Sequence, residues 1–284
     1  MLEKELKDIF LKEILDKKQI NGISDEFILE RLEKYLLTNG KKFKILKEHI
    51  NKKGVEKLEK NKNFKEIIKS IKNEIGIVYG SFQTKDFNKK EKILNNISSK
   101  EEIEKILFCH KSSRERKDFY EIVYKEIFKW YEPTKIGDIA CGLNPLTYFY
   151  LPNKNIEYIA CDLNQNDMNF LNNFFNKFKI KGVAKAYDVT NLKILEDKDI
   201  QNCDLIFLFK ALDSFETLKK NISKDLILGL KAKNIVVSFP TRSLVSKIEF
   251  KKEKRNWFYK FLKDNKFNFK EFEIDNEMFI LISK

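Results

Sequence analysis

From residue 136 onward the chain changes its hydrophobic period. Short apolar runs alternate with longer amphipathic stretches. The runs expected to form strands are Ile136–Ala140, Tyr158–Cys161, Gly182–Ala186, Leu205–Phe209 and Ile235–Phe239, with helical stretches such as Gln165–Phe178 between them. Strands separated by helices pair in parallel, and the helices then cover both faces of the sheet. The tail reads as a helix (Arg255–Asp264) followed by two strands (Phe269–Ile274 and Met278–Ser283), a closing hairpin that suits an antiparallel edge. This predicts an α/β chain whose sheet is mostly parallel with an antiparallel last strand.

The first 105 residues are read as a separate helical module (residues 1–105), with residues 106–284 as the α/β domain. No proline precedes Pro133, and apolar residues recur at helical spacing throughout. Leu2, Leu6, Ile9, Phe10 and Ile14 make one stripe; Phe27, Ile28, Leu32 and Leu36 make a second, opened by Ser24 as a helix start. Ile45, Leu46 and Ile50 suggest a third helix. Phe64, Ile67, Ile68, Ile71 and Ile75 suggest a fourth.

Charge narrows the partners. Lys and Arg number 56 against 43 Asp and Glu, a formal net charge of +13. Residues 41–72 carry twelve lysines against four acids, and residues 241–263 carry eight basic residues against two acids. Two basic stretches flanking a ligand-binding fold suit a large folded RNA read mainly by shape. Trp257 and Tyr259 beside the second stretch can stack on a base or fill the core of the last helix. The four cysteines lack metal-ligand spacing and there are only two histidines, so no metal site is expected. The charged N-terminus is unlike a signal peptide, and no apolar stretch nears the ~20 residues that span a bilayer. A cytoplasmic, monomeric protein is expected.

Ligands of doubly wound sheets sit beyond the carboxyl ends of the strands. Three acids fall at three successive strand ends. The first strand carries Asp138 and leads into Ala140-Cys141-Gly142-Leu143-Asn144-Pro145; the second ends in Asp162-Leu163; the third runs into Asp188-Val189. Small residues at 140–142 permit close approach to the backbone. An acid ending the second strand can accept two ribose hydroxyls, and one after the third can accept an adenine amino group. An adenosine-containing ligand fits this pattern. The loop lacks G-x-G-x-x-G, and G-x-x-x-x-G-K-[ST] is absent, which argues against a dinucleotide and a P-loop nucleotide.

The stretch Asp138–Pro145 resembles the D-x-G-C-G-x-N-P motif of the ribosomal RNA guanine-N7 methyltransferases that confer aminoglycoside resistance. Three further segments are similar to that family in the same order: His110-Lys111-Ser112-Ser113-Arg114-Glu115-Arg116 to its H-x-S-T-x-E-R segment, Lys210-Ala211-Leu212 with Glu216 to its K-x-L-x-x-L-E run, and Phe239-Pro240-Thr241-Arg242-Ser243-Leu244 to its F-P-T-[KR]-[ST]-L segment. The resemblance covers roughly residues 105–260. It implies a Rossmann-like class I methyltransferase fold with an N-terminal α-helical module and S-adenosyl-L-methionine as cofactor. It further implies 16S rRNA in the 30S subunit as substrate, with a possible resistance phenotype. It would place Arg116 on the cofactor carboxylate, Asp162 on the ribose and Asp188 on the adenine, with Leu163 and Val189 lining the adenine slot. Asp138, Ala140 and Gly142 would complete the cofactor site. Lys210 and Arg242 become candidate substrate-loop residues. Three positions depart from the family: Ala140 stands where Gly is usual, Phe215 where Leu is usual, and Val245-Ser246 replace a Gly-rich continuation.

The chemistry agrees with the resemblance. No [DN]-P-P-[YF] loop for an exocyclic amine follows the fourth strand, which ends in Phe209-Lys210. Cys203 precedes that strand, at the wrong end for a C5 nucleophile, and reads as core. Guanine N7 carries a free lone pair and needs no general base, so catalysis can rest on positioning with no dedicated catalytic residue. Three alternatives remain: a methyltransferase for another RNA such as tRNA, one for a small molecule, and a non-catalytic RNA-binding protein on the same fold.

Overall fold

The computed structural model describes residues 4–16, 20–97, 99–242 and 252–284. It divides into two compact units, Met1–Ser81 with Asn164–Asn166, and the remainder from Phe82. The helical spacing sets the expected boundary at residue 105, whereas the packing divides after Ser81. Residues 82–105 belong to the second unit because Phe87, Leu94, Ile97 and Ile103 are buried in the same cluster as the sheet's core.

The first unit is built from α1 (Lys4–Leu15), α2 (Asp25–Thr38), α3 (Gly40–Lys53) and α4 (Lys62–Val78). The Ser24 side chain caps α2 by accepting the Phe27 N–H at 3.3 Å, and Asn61 does the same for α4 through Phe64. The apolar stripes turn inward as their spacing dictates. Leu6, Phe10 and Ile14, then Phe27, Ile28, Leu32 and Leu36, then Phe64, Ile67, Ile68, Ile71 and Ile75 are all buried. The rings of Phe10 and Phe64 meet with centroids 4.8 Å apart. The third stripe is only half inward: Leu46 is buried, while Ile45 faces solvent at 50% exposure. Adjacent residues on a helix point about 100° apart, so α3 buries one of the pair.

The second unit opens with α5 (Lys90–Asn96), α6 (Glu104–Leu107), α7 (Lys111–Arg116) and α8 (Tyr120–Phe128). The sheet follows: β1 (Lys135–Ile139), β2 (Glu157–Asp162), α9 (Gln165–Lys177), β3 (Gly182–Ala186), α10 (Lys198–Gln201), β4 (Leu205–Phe209), α11 (Leu212–Leu218), α12 (Ile222–Gly229), β5 (Asn234–Pro240), α13 (Asn256–Asp264), β6 (Asn268–Ile274) and β7 (Glu277–Ser283). Each expected strand is present within a residue or two of its predicted ends. The strand order is β3-β2-β1-β4-β5-β7-β6, with β1 to β5 parallel and β7 antiparallel to both neighbours. The central strands read as continuous apolar runs because helices cover both faces; Leu205 to Phe209 are all buried.

Two consequences position the site. The order reverses between β1 and β4, which opens a crevice beyond their carboxyl ends. Because β7 runs antiparallel, its first residue lies at that same edge: Glu277 is in register with Pro240, the last residue of β5. All four cysteines are free and buried, Cys203 among them at the amino end of β4. Among the described residues, no helix is long and apolar enough to cross a membrane.

Candidate cofactor site

The loop after β1 turns sharply twice. Ala140 takes φ +55° and Gly142 φ +51°, both left-handed. Glycine tolerates this without penalty, whereas a residue with a Cβ is strained by about 1 kcal/mol. Alanine stands there regardless. The loop is pinned to the next strand twice: the Cys141 N–H donates to the Cys161 carbonyl at 3.0 Å, and the Gly142 N–H donates to Asp162 Oδ2 at 2.8 Å. The other oxygen of Asp162 accepts the Leu163 N–H at 2.6 Å. Burial raises the Asp162 carboxyl to about 6 against the pull of these two donors.

Asp138 faces inward, at 1% exposure. Its Oδ2 accepts the Asn144 side-chain amide at 2.8 Å and the Tyr158 hydroxyl at 2.7 Å. It therefore braces the loop from below. Burial lifts its carboxyl to about 6 as well, with the two donors opposing.

His110, the residue before α7, lies against the loop. A Cβ built on Gly142 would come within 2.9 Å of His110 Cε1. The ring accepts or donates at Nδ1 with Ser113 Oγ, 3.3 Å away. Burial, with Arg116, Lys111 and Lys210 adding repulsion, lowers its pKa to about 3, so the imidazole is neutral across the working range. The place of Gly142 is thus set both by its left-handed φ and by the ring beside it.

Arg116 ends α7 and is 5% exposed. Its Nε donates to Glu277 Oε2 at 2.7 Å, and one Nη reaches Asn144 Oδ1 at 3.4 Å. The guanidinium also stands 5.1 Å from the centroid of Phe209. The family resemblance implies a cofactor carboxylate as the partner of Arg116. The structure adds a protein carboxylate, Glu277, that already engages one edge of the fork.

Lys210 follows β4 in a left-handed conformation, φ +54°. Its N–H donates to the carbonyl and hydroxyl of Ser238, at 3.1 and 3.0 Å, and its Nζ sits 3.0 Å from Glu115 and 3.1 Å from Glu277. At 7% exposure it is a buried, paired cation. Arg242 is exposed just past β5. The rest of that expected loop, Ser243, Leu244, Val245 and Ser246, lies outside the described residues.

At the end of β3, Asp188 Oδ1 accepts from the Thr190 N–H at 2.8 Å and hydroxyl at 2.6 Å, capping a short turn. Val189 is 8% exposed and packs in the core; Leu163 is partly exposed. Near the second basic stretch, the Tyr259 hydroxyl donates to Glu271 at 2.6 Å, and Trp257 packs against the core of α13. The residues at this edge that the sequence did not point to are Glu277, Ser238 and Tyr158. Glu277 carried one usable signal. A final antiparallel strand necessarily begins at the edge where the parallel strands end.

Two outcomes follow from this geometry. Gly142→Ala combines a disfavoured φ with a collision at His110 and should cost about 1–3 kcal/mol of stability, read as a lower midpoint in urea unfolding; an unchanged midpoint would show that the loop adapts. Asp138 titrates near 6 when folded and near 4 when unfolded, so the folded chain holds the extra proton. Its stabilising contribution is complete below pH 4 and disappears as pH rises through 6. Asp138→Asn should therefore gain on the wild type as pH rises from 4 to 7, by up to about 2–3 kcal/mol. A difference independent of pH would place that titration elsewhere.

Comparison with known proteins agrees with this arrangement. Residues 79–282 match the family model described as ribosomal RNA methyltransferase (FmrO). A 16S rRNA (guanine(1405)-N(7))-methyltransferase of Micromonospora echinospora is 30% identical over 187 residues, 64% of this chain and 66% of the relative. One of the same name from Proteus mirabilis is 26% identical over 78% of this chain and 83% of its own length. The chain spans about half to just under two thirds of the first curated relatives it matches. The crystal structure of the 16S rRNA methyltransferase RmtF in complex with S-adenosyl-L-homocysteine superposes over the full length of both chains with a TM-score of 0.75 at 20% identity. The 16S rRNA methylase ArmA superposes over 69% of this chain and 97% of its own, with a TM-score of 0.57 at 27% identity. The sheet order, the loop after β1 and the match over residues 79–282 place the chain in the FmrO family of ribosomal RNA methyltransferases.

Proposed function

We propose that this chain transfers a methyl group from S-adenosyl-L-methionine to N7 of a guanine in 16S rRNA, within the 30S subunit. The observation that carries the reading is the cradle formed by Ala140, Gly142 and Asp162 beyond β1 and β2. Its left-handed turns tie the loop to β2 through Cys161 and Asp162, and the partly buried Asp162 carboxylate stands at the end of the second strand. The relatives named 16S rRNA (guanine(1405)-N(7))-methyltransferase support the substrate, and the RmtF complex supports the cofactor class.

The residues present fit such a cofactor. Asp162 retains lone pairs for two ribose hydroxyls beyond the two N–H groups it accepts. Ser112 and Arg116 stand four residues apart on one face of α7, and the buried Ser112 hydroxyl has no hydrogen-bond partner among the described residues. A carboxylate on the ligand would meet the Nη edge of Arg116, since Nε is engaged by Glu277. Leu163 and Val189 would flank the adenine, with Asp188 at its amino group. Asp138 would act through the loop it braces. The bound cofactor supplies a methyl group on a sulfonium. The protein's part is to hold that donor and the guanine in line. No proton leaves N7 on methylation, so no general base is required. The buried, paired state of Lys210 agrees with a positioning role for the β4 end. The basic stretch of α3 and α4 would contact rRNA, with Lys44, Lys47, Lys52 and Lys53 all exposed.

Asp162→Ala should weaken S-adenosylmethionine binding by about 2 kcal/mol, roughly thirtyfold, in calorimetry on a folded variant. Methylation at N7 leaves a fixed positive charge and labilises the glycosidic bond. 30S subunits treated with enzyme and cofactor should then show one new break after mild reduction and aniline, lost with Asp162→Ala. Methyl transfer without a break would mean a different base. Transfer to tRNA but not to 30S subunits or bare rRNA would mean a different RNA.

Replacing Lys44, Lys47, Lys52 and Lys53 together by Gln should weaken 30S binding and flatten its salt dependence, while S-adenosylmethionine binding stays unchanged. An unaltered salt slope would place the RNA contacts elsewhere.

A further inference from the structure

The carboxylate of Glu277 meets three side chains near the carboxyl ends of the parallel strands. It is 3% exposed, and its Oε2 accepts from Arg116 Nε at 2.7 Å and lies 3.1 Å from Lys210 Nζ. Its Oε1 accepts the Ser238 hydroxyl. Burial alone would raise its pKa; the charges of Arg116 and Lys210 reverse that and hold it below the usual carboxylate range. It reaches this place through topology, as the first residue of the antiparallel β7, paired across to Pro240.

We propose that Glu277 is a positioning residue for the cofactor. It grips Arg116 from the Nε edge and fixes which edge of the guanidinium is presented to the cofactor carboxylate. The inference rests on the reading of Arg116 as the carboxylate partner. A long arginine at the end of a six-residue helix has many rotamers, and orienting one costs conformational entropy. Here the fork is held on three sides: by Glu277 at Nε, by Asn144 at Nη, and by the face of Phe209. Asn144 is held in turn by Asp138, so the hold on Arg116 runs from β7 to β1. Pre-set geometry of this kind lowers the ordering cost of binding.

The test is a double-mutant cycle on the full-length chain, with binding of S-adenosylhomocysteine read by calorimetry and methyl transfer to 30S subunits read with labelled cofactor. Glu277→Gln keeps the shape and leaves Lys210 its second partner, Glu115. It should weaken binding and raise the cofactor KM about tenfold, while kcat at saturating cofactor stays within about threefold. A merely structural defect would lower kcat with KM unchanged. Arg116→Lys should weaken binding by a similar factor, and the double variant should be no weaker than the worse single one. Normal binding by Glu277→Gln, or losses that multiply in the double variant, would overturn the proposal. If Glu277→Gln fails to fold, Ser238→Ala, which frees the other carboxylate oxygen and leaves the Lys210 N–H its bond to the Ser238 carbonyl, should still raise the cofactor KM about threefold, and an unchanged KM would overturn it. Absence of binding by the wild type would count instead against the cofactor reading itself.

Discussion

A buried carboxylate shared by two buried cations governs the ligand edge of the sheet. Glu277 could not stand ionised at 3% exposure without Arg116 and Lys210, and neither cation could be buried without an acid. The three come from α7, the end of β4 and the start of β7, which are distant in sequence. Each therefore limits where the others' elements can lie. Removing one partner would strand a buried charge, whereas the assembled group holds the strand ends in fixed relation.

Strain gathers at the same edge. Ala140 and Lys210 follow the two adjacent strands β1 and β4, and both adopt left-handed backbone that only glycine enters freely. Neither is a free turn. The Ala140–Gly142 loop is tied to β2 through Cys161 and Asp162, and Lys210 donates its N–H to Ser238 on β5. Strained residues persist where the surroundings over-determine them, and here they flank the point at which the strand order reverses. The acids near pKa 6 belong to the same edge, since the buried Asp138 and the partly buried Asp162 hold the loop at a desolvation cost.

The first unit follows a simpler logic. Its helices bury one stripe each and expose lysines on the other face, and Ser24 and Asn61 cap two of them. Helices this short are marginal alone, so the stripes are what hold them. The lysine-rich faces remain available because burying them would be too costly.

Much of this was legible in the sequence because it depends on local periodicity. Strands from Lys135 to Pro240 appear where the apolar runs lie, and α1, α2 and α4 bury the residues their spacing selects. The acids at strand ends were readable because the parallel topology sends every strand's carboxyl end to one side. The division after Ser81 was not readable, since Phe87 and Leu94 show the same helical spacing whichever core they join. The inward turn of Asp138 toward Tyr158 and the hold of Glu277 on Arg116 were equally hidden. They are contacts between residues up to 161 positions apart, and a sequence carries no distance between them until strand order and direction are known. Periodicity by itself determined the elements and the edge where a ligand would lie. Tertiary structure decided which polar groups at that edge are consumed in holding one another, because only packing sets which buried charges meet.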